Sequence, residues 1–324
     1  MNLDYRNVIW VFSTTTIMSS DLIGGIVPAN YLNIKKLIFL ANHNVNKTLD
    51  TLNPKIIIFS KCMNSNIILL AKEAKKRNIK IISIFDDWHF KSGKKREEIK
   101  FKFNENLAFL SDKIVVKTES AAKILYQNTK LFSKIIPDSI RYTNISPVNK
   151  FSNVPNLIWF GSSSNHDSLI QAINEINNEK IICNIKVVTN ITDDLTNLLK
   201  KEKFDNIKIK LIEFSDKNLI SAMKISEIII LPIIEDFRRI VKSTNRIVDS
   251  LNFGRFLISS DTYLNEEFSN FCYRGNIGQG IKWLYKNKIK SINMLSKGQK
   301  YVKQTYHIEK TSFKWKKLIE ELIC

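Results

Sequence analysis

The most informative chemistry in this sequence lies in four polar side chains between residues 242 and 249. Lys242, Asn245 and Arg246 supply two cations and an amide in close succession, and Asp249 follows one helical turn later. Lys and Arg side chains bind phosphate oxygens, and the free backbone N–H groups at the start of a helix favour the same anions. An aspartate one turn further on can accept hydrogen bonds from sugar hydroxyls. The segment is therefore suited to bind a nucleoside diphosphate that carries a sugar, without a glycine-rich loop.

The residues around these four predict a strand, a loop, a helix and a second strand, in that order. Residues 228–231 form a short apolar run that ends at Pro232, and Gly254 ends the predicted helix before a second apolar run at 256–259. Two buried strands joined by a helix are typical of a parallel sheet, and ligands bind such sheets at the carboxyl ends of the strands. We therefore expect both cations to lie at that edge.

Apolar runs alternate with amphipathic segments along the rest of the chain, which predicts an α/β fold. We expect further strands at residues 7–12, 55–59, 80–85, 113–116, 156–160, 185–188 and 207–212, and helices at 64–77, 118–125, 167–176 and 298–324. Residues 136–156 contain three prolines, many Asn and Ser residues and little periodicity, as expected of a connection between domains. The pattern predicts two successive α/β halves with a cleft between them.

The composition limits the class of protein. The 324 residues suit two domains, and 50 basic against 31 acidic residues give a net charge of +19. Such an excess attracts an anionic membrane surface, a phosphate-bearing acceptor or nucleic acid. No apolar run is long enough to span a bilayer and no signal-peptide pattern is present, so a cytoplasmic location is expected. Four scattered cysteines predict reduced thiols rather than disulfides or a zinc site.

Two further groups could take part in catalysis or phosphate binding. Asp86, Asp87 and His89 follow a predicted buried strand, where one of them could remove a proton from a hydroxyl nucleophile; the alternative is a turn in which they cap and pack. The adjacent acids lack the Asp-x-Asp spacing of a metal-binding pair, and no metal site is expected. Gly24-Gly25 allows close backbone approach to a ligand, or forms a tight turn.

A second loop completes the candidates from the residues alone. Gly161 and Ser162 precede a predicted helix, where they could donate to phosphate or simply cap the helix. Walker, Gly-x-Gly-x-x-Gly and Gly-x-Ser-x-Gly patterns are absent from the sequence, which removes most support for an ATPase, a dehydrogenase or a hydrolase.

With these residues in view, the chain resembles a glycosyltransferase of the GT-B fold, of the bacterial group 1 type that uses nucleotide-activated sugars. The resemblance rests on Gly24-Gly25, on residues 85–90, 111–118, 135–139 and 159–161, and most strongly on residues 228–261. It implies two Rossmann-like domains, an acceptor-binding domain at 1–150 and a nucleotide-sugar-binding domain at 151–300, with a last helix, 301–324, that crosses back to the first.

The resemblance also assigns roles within the strongest segment. Asp249 takes the place of the second Glu of the family's Glu-x7-Glu pair, which contacts the ribose. The first Glu should fall at position 241, which is Val241 here, and this departure leaves open how the sugar hydroxyls are held. Lys242 resembles the cation that binds the diphosphate, and the resemblance implies that Arg238 or Arg239 shares that role.

The implied function is transfer of a sugar, of the hexosyl type and without a metal or other cofactor, from a nucleotide-diphosphate donor to a cell-surface glycan or lipid-linked acceptor. A basic run at residues 91–102, interleaved with Phe101 and Phe103, is either a solvated helix face or a surface that holds the protein on the inner face of an anionic membrane. Two alternatives stay open. One is a DNA-modifying glycosyltransferase of the same fold, which the net charge permits. The other is a non-catalytic protein that binds a nucleotide or glycan, which Val241 permits.

Overall fold

The computed structural model describes residues 5–15, 22–60, 62, 64–86, 95–201, 204–234, 236 and 239–323. The chain divides into two compact units. The first comprises residues 1–139, 240–244 and 305–324, and the second comprises residues 140–239 and 245–304. No helix among the described residues is both long enough and apolar enough to cross a membrane.

The first unit contains a six-stranded parallel sheet. Its strands are β1 (Val8–Phe12), β2 (Lys35–Ile38), β3 (Ile56–Ser60), β4 (Lys80–Phe85), β5 (Lys113–Val116) and β6 (Lys134–Ile135), in the order β2-β1-β3-β4-β5-β6. Every residue of β1 and β3 is buried, as expected of strands covered on both faces. The strand order reverses between β1 and β3, and such a reversal opens a crevice where ligands bind in sheets of this kind.

The helices of the first unit are α1 (Val27–Tyr31), α2 (Val45–Leu52), α3 (Ser65–Lys76), α4 (Lys95–Leu110) and α5 (Glu119–Thr129). Three of them, α2, α3 and α5, begin directly after a polar side chain that caps the helix. The side chains of Asn44, Asn64 and Thr118 each accept a hydrogen bond from the backbone N–H three residues later. Such caps satisfy N–H groups that have no partner inside the helix, which explains why the predicted cap at Thr118 starts α5.

The second unit has the strand order of the doubly wound dinucleotide-binding sheet. Its parallel strands are β7 (Asn156–Phe160), β8 (Cys183–Thr189), β9 (Ile207–Glu213), β10 (Ile228–Leu231), β11 (Phe256–Ser259) and β12 (Tyr273–Arg274), in the order β12-β11-β10-β7-β8-β9. Counted within the unit this order is 6-5-4-1-2-3, so the reversal lies between β7 and β10. The helices are α6 (His166–Asn178), α7 (Asp193–Lys201), α8 (Asp216–Lys224), α9 (Asn245–Asn252), α10 (Ile277–Lys286) and α11 (Lys288–Tyr306).

The last helix, α12 (Ile308–Ile323), packs into the core of the first unit. The rings of Trp315 and Trp10 lie 4.8 Å apart between centroids, and Leu318 and Ile319 are buried in the same cluster. Apolar residues three or four positions apart give the helix one apolar face, which this core covers.

The predicted α/β class with two parallel sheets is confirmed. Three strands, β2, β6 and β12, were not predicted, and all three lie at sheet edges. In β2 the side chains of Lys35, Lys36 and Ile38 are exposed, and β6 and β12 have two residues each. An edge strand needs no continuous apolar run, so the pattern that identified the central strands is missing there.

Candidate functional site

The carboxyl end of β7 opens into a short polar loop that leads directly into α6. The loop starts at Gly161, and residues Ser163–Asn165 form a 3₁₀ turn before the helix begins. The hydroxyl oxygens of Ser162 and Ser164 lie 2.8 Å apart, and the amide of Asn165 donates to Ser162 Oγ at 3.1 Å. These bonds fix the loop at the point where the strand order reverses, which is the expected ligand position in such a sheet.

Arg246 in the first turn of α9 lies over the end of β7. Its guanidinium is 5.4 Å from the centroid of the Trp159 ring and 5.6 Å from that of Phe160, and it donates to the carbonyl oxygen of Phe160. Gly161 makes room for this arrangement, because a Cβ there would lie 3.0 Å from the Trp159 ring and 3.2 Å from Arg246 Nη2. The planar guanidinium of Arg246 therefore lies against two aromatic rings, those of Trp159 and Phe160, beside the Gly161 loop.

The electrostatics of Arg246 suit an anion. Its Nε atom is buried without a hydrogen-bond partner, and no carboxylate pairs with Arg246 in the part of the chain that the structure describes. Burial, with the positive charge of Arg239 as a second contribution, lowers the pKa of Arg246 to about 9. The side chain stays charged at neutral pH, and an anion beside it would offset the cost of burying that charge.

Arg239, by contrast, already forms an ion pair within the protein. Its Nη2 atom donates to both carboxylate oxygens of Asp167, at 3.0 and 2.8 Å, and to the carbonyl oxygen of Ser164 at 3.1 Å. Arg239 therefore fixes the Gly161 loop and the start of α6. Its predicted part in diphosphate binding stays a prediction, and Arg238 lies outside the described residues.

His166 and Thr189 hold the same loop from the other side. Thr189 Oγ1 donates to the carbonyl oxygen of Gly161 at 2.8 Å, so the hydrogen between Thr189 Oγ1 and His166 Nε2, 3.0 Å apart, belongs to the histidine. Burial lowers the pKa of His166, with a smaller opposing effect of Asp167. The imidazole is therefore neutral at pH 7, with its proton on Nε2.

Acidification should destabilise the native state through His166. Above the unfolded-state pKa of about 6.5, the imidazole is neutral in both the folded and the unfolded state. As the pH falls below that value, the unfolded chain takes up a proton first, because burial lowers the pKa of His166 in the folded state. The native state therefore loses stability until the pH passes the lower folded-state pKa. We expect the drop in unfolding free energy between pH 7 and pH 5 to be smaller in His166→Asn than in wild type. Denaturant unfolding at several pH values measures this, with the exposed His307→Asn as control. Equal pH slopes for wild type and His166→Asn would contradict the assignment.

The other three residues predicted to bind the nucleotide-sugar donor lie in three different environments. Lys242 is exposed and belongs to the segment 240–244 of the first unit. Asn245 is the first residue of α9 and is partly buried. Asp249 is only 6% exposed, and its Oδ1 atom accepts a long hydrogen bond, 3.4 Å, from the backbone N–H of Arg141. The proposed contact of Asp249 with a ribose stays a prediction.

Val241 has a packing role. It is 3% exposed and lies in an apolar cluster of the first unit with Phe85, Ala108 and Val116. An acid at this position would lie in an apolar environment, where an unpaired charge is costly. The valine that replaces the acid of the resembled family is therefore matched to its surroundings.

Gly24 and Gly25 lie at the reversal point of the first sheet. A Cβ on Gly25 would approach the Phe12 ring, at the end of β1, to 2.7 Å and Ser60 Oγ, at the end of β3, to 3.1 Å. A Cβ on Gly24 would lie 3.4 Å from both Lys117 Nζ and Asp138 Oδ1. Position 25 therefore needs glycine for packing. The backbone at Gly24 lies beside a buried ion pair between Lys117 and Asp138, whose Nζ and Oδ1 atoms are 2.8 Å apart.

Of the three predicted catalytic residues, the structure describes one. Asp86 follows β4 directly and is partly buried. Asp87 and His89 lie outside the described residues. Within the described ranges, no three His, Cys, Asp or Glu side chains lie close enough together to hold a metal ion.

Sequence reasoning missed three residues of this site. Trp159, His166 and Thr189 were given no ligand-related role, although Trp159 and His166 flank the Gly161 loop in the sequence. The available signal was an aromatic residue directly before a glycine-serine turn that starts a helix. Thr189 gave no comparable signal, because its contact depends on β8 pairing with β7.

The chain is similar along nearly its whole length to solved glycosyltransferase structures. No protein-family model and no curated protein sequence matches it. HepE from Anabaena, in complex with UDP and glucose, has a TM-score of 0.73 at 9% identity, over 97% of this chain and 99% of its own. A glycosyltransferase from Rickettsia africae has a TM-score of 0.66 at 16% identity, over 98% of both chains.

The lipopolysaccharide outer core galactosyltransferase WaaB is also similar, with a TM-score of 0.59 at 12% identity, over 97% of this chain and 99% of its own. At these identities the likeness concerns the fold. The chain has the GT-B fold of two Rossmann-like domains, as the sequence resemblance implied.

Proposed function

We propose that this protein is a glycosyltransferase that moves a sugar from a nucleoside-diphosphate donor to a cell-surface glycan or lipid-linked acceptor. The observation that carries the proposal is Arg246, a desolvated cation without a carboxylate partner among the described residues, beside the Gly161 loop at the strand reversal of the second sheet. HepE, which has the same fold, binds UDP and glucose.

Arg246 would act on the leaving group. When the bond between the sugar and the diphosphate breaks, negative charge grows on the phosphate oxygens, and a fixed cation in a water-poor site stabilises that charge in the transition state. Lys242, Asn245 and the Gly161–Ser162 loop would bind the same diphosphate, and Asp249 would bind a ribose hydroxyl. We assign no metal or other cofactor to this step.

Acceptor activation is assigned to the first unit. Asp86, which follows β4, and the nearby Asp87 and His89 are the candidates for orienting the acceptor or removing the proton from its hydroxyl. Gly24-Gly25 is kept as the proposed acceptor or phosphate loop because glycine has no Cβ to clash with a ligand; in the structure the space beside Gly25 is taken by the Phe12 ring and Ser60 Oγ.

A surface of the first unit would hold the protein on an anionic membrane at its cytoplasmic side. An open groove of about 430 Å³ between α3 and α4 is lined by four apolar side chains, two small polar ones and one lysine; they are Ile68, Leu69, Ile99, Phe103, Ser65, Asn106 and Lys102. Leu69 is 54% exposed and Ile99 is 81% exposed. Exposed apolar side chains beside lysines are the combination that binds anionic lipid surfaces, and a lipid-linked acceptor would be found there.

A thermal-shift panel tests the donor site directly. UDP, GDP, CMP, ADP, TDP and their common sugar conjugates would be tested on wild type, on Lys242→Ala and on the exposed-lysine control Lys200→Ala. A ligand at about 100 times its Kd stabilises the native state by about 2.7 kcal/mol, so we expect one nucleotide to raise the Tm of wild type and of the control. In Lys242→Ala we expect a smaller shift and strongly reduced turnover, with an intact fold because Lys242 is exposed.

One outcome would contradict the role of Lys242, and another would contradict sugar transfer itself. Unchanged turnover in Lys242→Ala would remove that residue from phosphate binding. A wild-type protein that binds a nucleotide but transfers no sugar from any donor conjugate would be a non-catalytic binding protein.

A further inference from the structure

A strongly basic groove on the second unit is left unexplained by sugar transfer. Between Glu267 and Glu309 the sequence contains eight Lys and Arg residues and no Asp or Glu. Four of these lysines line one groove of about 1120 Å³ at the junction of α10 and α11; they are Lys286, Lys288, Lys290 and Lys297, and we call this the basic groove. None of the residues predicted to bind the donor lines it.

The lysines of the basic groove are available to a ligand. All four are exposed, and in the described part of the chain none has a carboxylate within ion-pair distance. Lys288 Nζ lies 4.9 Å from the centroid of the Tyr285 ring, and Lys290 Nζ lies 5.4 Å from that of Trp283. Like charges gathered without counter-charges repel one another, so a polyanion that neutralises them binds favourably.

The remaining lining suits a carbohydrate. Asn270, Asn287 and Asn293 contribute amides to the groove, and Phe271 and Tyr285 contribute aromatic rings. Amides exchange hydrogen bonds with hydroxyl groups, and aromatic rings provide apolar faces with specific geometry. The volume far exceeds that of a single phosphate, and the lysines come from both sides of the helix junction, so the ligand must carry several anionic groups.

We propose that the basic groove binds a linear glycan that bears repeated carboxylate or phosphate groups. The inference rests on the proposed function in one respect, since such a glycan would be part of the acceptor. The binding itself requires neither a donor nor turnover, so its failure and the failure of the transferase proposal can be told apart.

The test measures binding of oligogalacturonate, a linear glycan with one carboxylate per sugar, by isothermal titration calorimetry at low salt. The groove variant is Lys288→Gln/Lys290→Gln/Lys297→Gln. The matched control, Lys200→Gln/Lys208→Gln/Lys217→Gln, removes the same charge from exposed lysines elsewhere on the second unit. A neutral malto-oligosaccharide of equal length is the ligand control.

We expect oligogalacturonate to bind wild type and the control with equal Kd. Its Kd for the groove variant should be about tenfold higher, because exposed ion pairs contribute little each and three of them are lost. Added salt should weaken the binding, and hydrogen exchange of residues 285–297 should slow in the complex. The malto-oligosaccharide should bind far more weakly than oligogalacturonate.

Three results would overturn the proposal. Equal losses in the groove variant and the control would show a diffuse charge effect, and equal binding of charged and neutral oligosaccharides would remove the anionic requirement. The third concerns Ile289, which is 80% exposed between two of the lysines. If wild type binds vesicles of phosphatidylglycerol but not oligogalacturonate, and Ile289→Ser abolishes vesicle binding, the surface docks on a membrane instead.

Discussion

Replacing Arg246 with Met is expected to weaken binding of the nucleoside-diphosphate donor by about 10- to 100-fold, while the second unit keeps its fold. A hydrogen bond to a charged group contributes about 1.5–3 kcal/mol, and each 1.4 kcal/mol is a factor of ten in Kd. The methionine side chain keeps apolar packing on Trp159. Among the residues that the structure describes, the only hydrogen bond lost is the one to the carbonyl oxygen of Phe160. Titration calorimetry with the nucleotide identified by the thermal-shift panel measures the effect.

Two further variants sharpen this experiment. Arg246→Lys retains the charge but loses the planar group that stacks on Trp159 and donates in fixed directions, so its affinity should lie between those of wild type and Arg246→Met. Lys208→Met removes one exposed charge from an edge strand of the same unit and should bind as wild type does. If Arg246→Met is folded and binds the nucleotide as tightly as Lys208→Met, then Arg246 does not contact the diphosphate.

The two arginines of this site differ in how far the protein neutralises their charge, and the structure gives the reason. Arg239 is held by both oxygens of Asp167 and by Ser164 O, so its charge is largely neutralised by the protein. Arg246 is placed against aromatic rings and a single carbonyl, which leaves its charge uncompensated. An arriving diphosphate would therefore gain more from Arg246, because no existing ion pair has to be broken first.

The sequence predicted the segment from 228 to 259 well because local signals specify it. Buried strands give continuous apolar runs, Gly254 ends α9 with a φ of +63°, and both features are visible in the chain. Edge strands lack the first signal. This is why β2, with its exposed lysines, was not predicted although it extends the first sheet.

The contacts of the site could not be predicted because they depend on strand order. Arg246 meets Trp159, 87 positions earlier in the chain, since β10 pairs with β7. His166 meets Thr189 since β8 pairs with β7 on its other side. Periodicity identifies strands but carries no information on which strands are neighbours, so residue types at the sheet edge were predictable and their partners were not.

In the first unit, replacing Lys117 with Met is expected to lower the free energy of unfolding by about 3–5 kcal/mol, the usual cost of removing one partner from a buried ion pair. The side chains of Lys117 and Asp138 are 1% and 4% exposed, and Nζ and Oδ1 lie 2.8 Å apart. Without the ammonium group, a buried carboxylate loses its cationic partner in a medium that solvates charge poorly. Urea unfolding at pH 7, followed by tryptophan fluorescence, measures the loss, because Trp315 lies 6.0 Å from Lys117 Nζ.

The double variant Lys117→Met/Asp138→Asn separates the charge effect from lost packing. Replacing both partners removes the uncompensated charge, so most of the stability should return, whereas lost packing alone would leave the double variant no more stable than the single one. Gly24 and Gly25 lie in a short π-helix, Leu22–Ile26, and Gly24 lies directly beside this ion pair, so the restored variant also tests the role of that π-helix. If the ion pair positions the π-helix for the acceptor, the double variant should have wild-type donor affinity but a raised KM for acceptor. A single variant as stable as wild type would show that the buried pair contributes nothing to the fold.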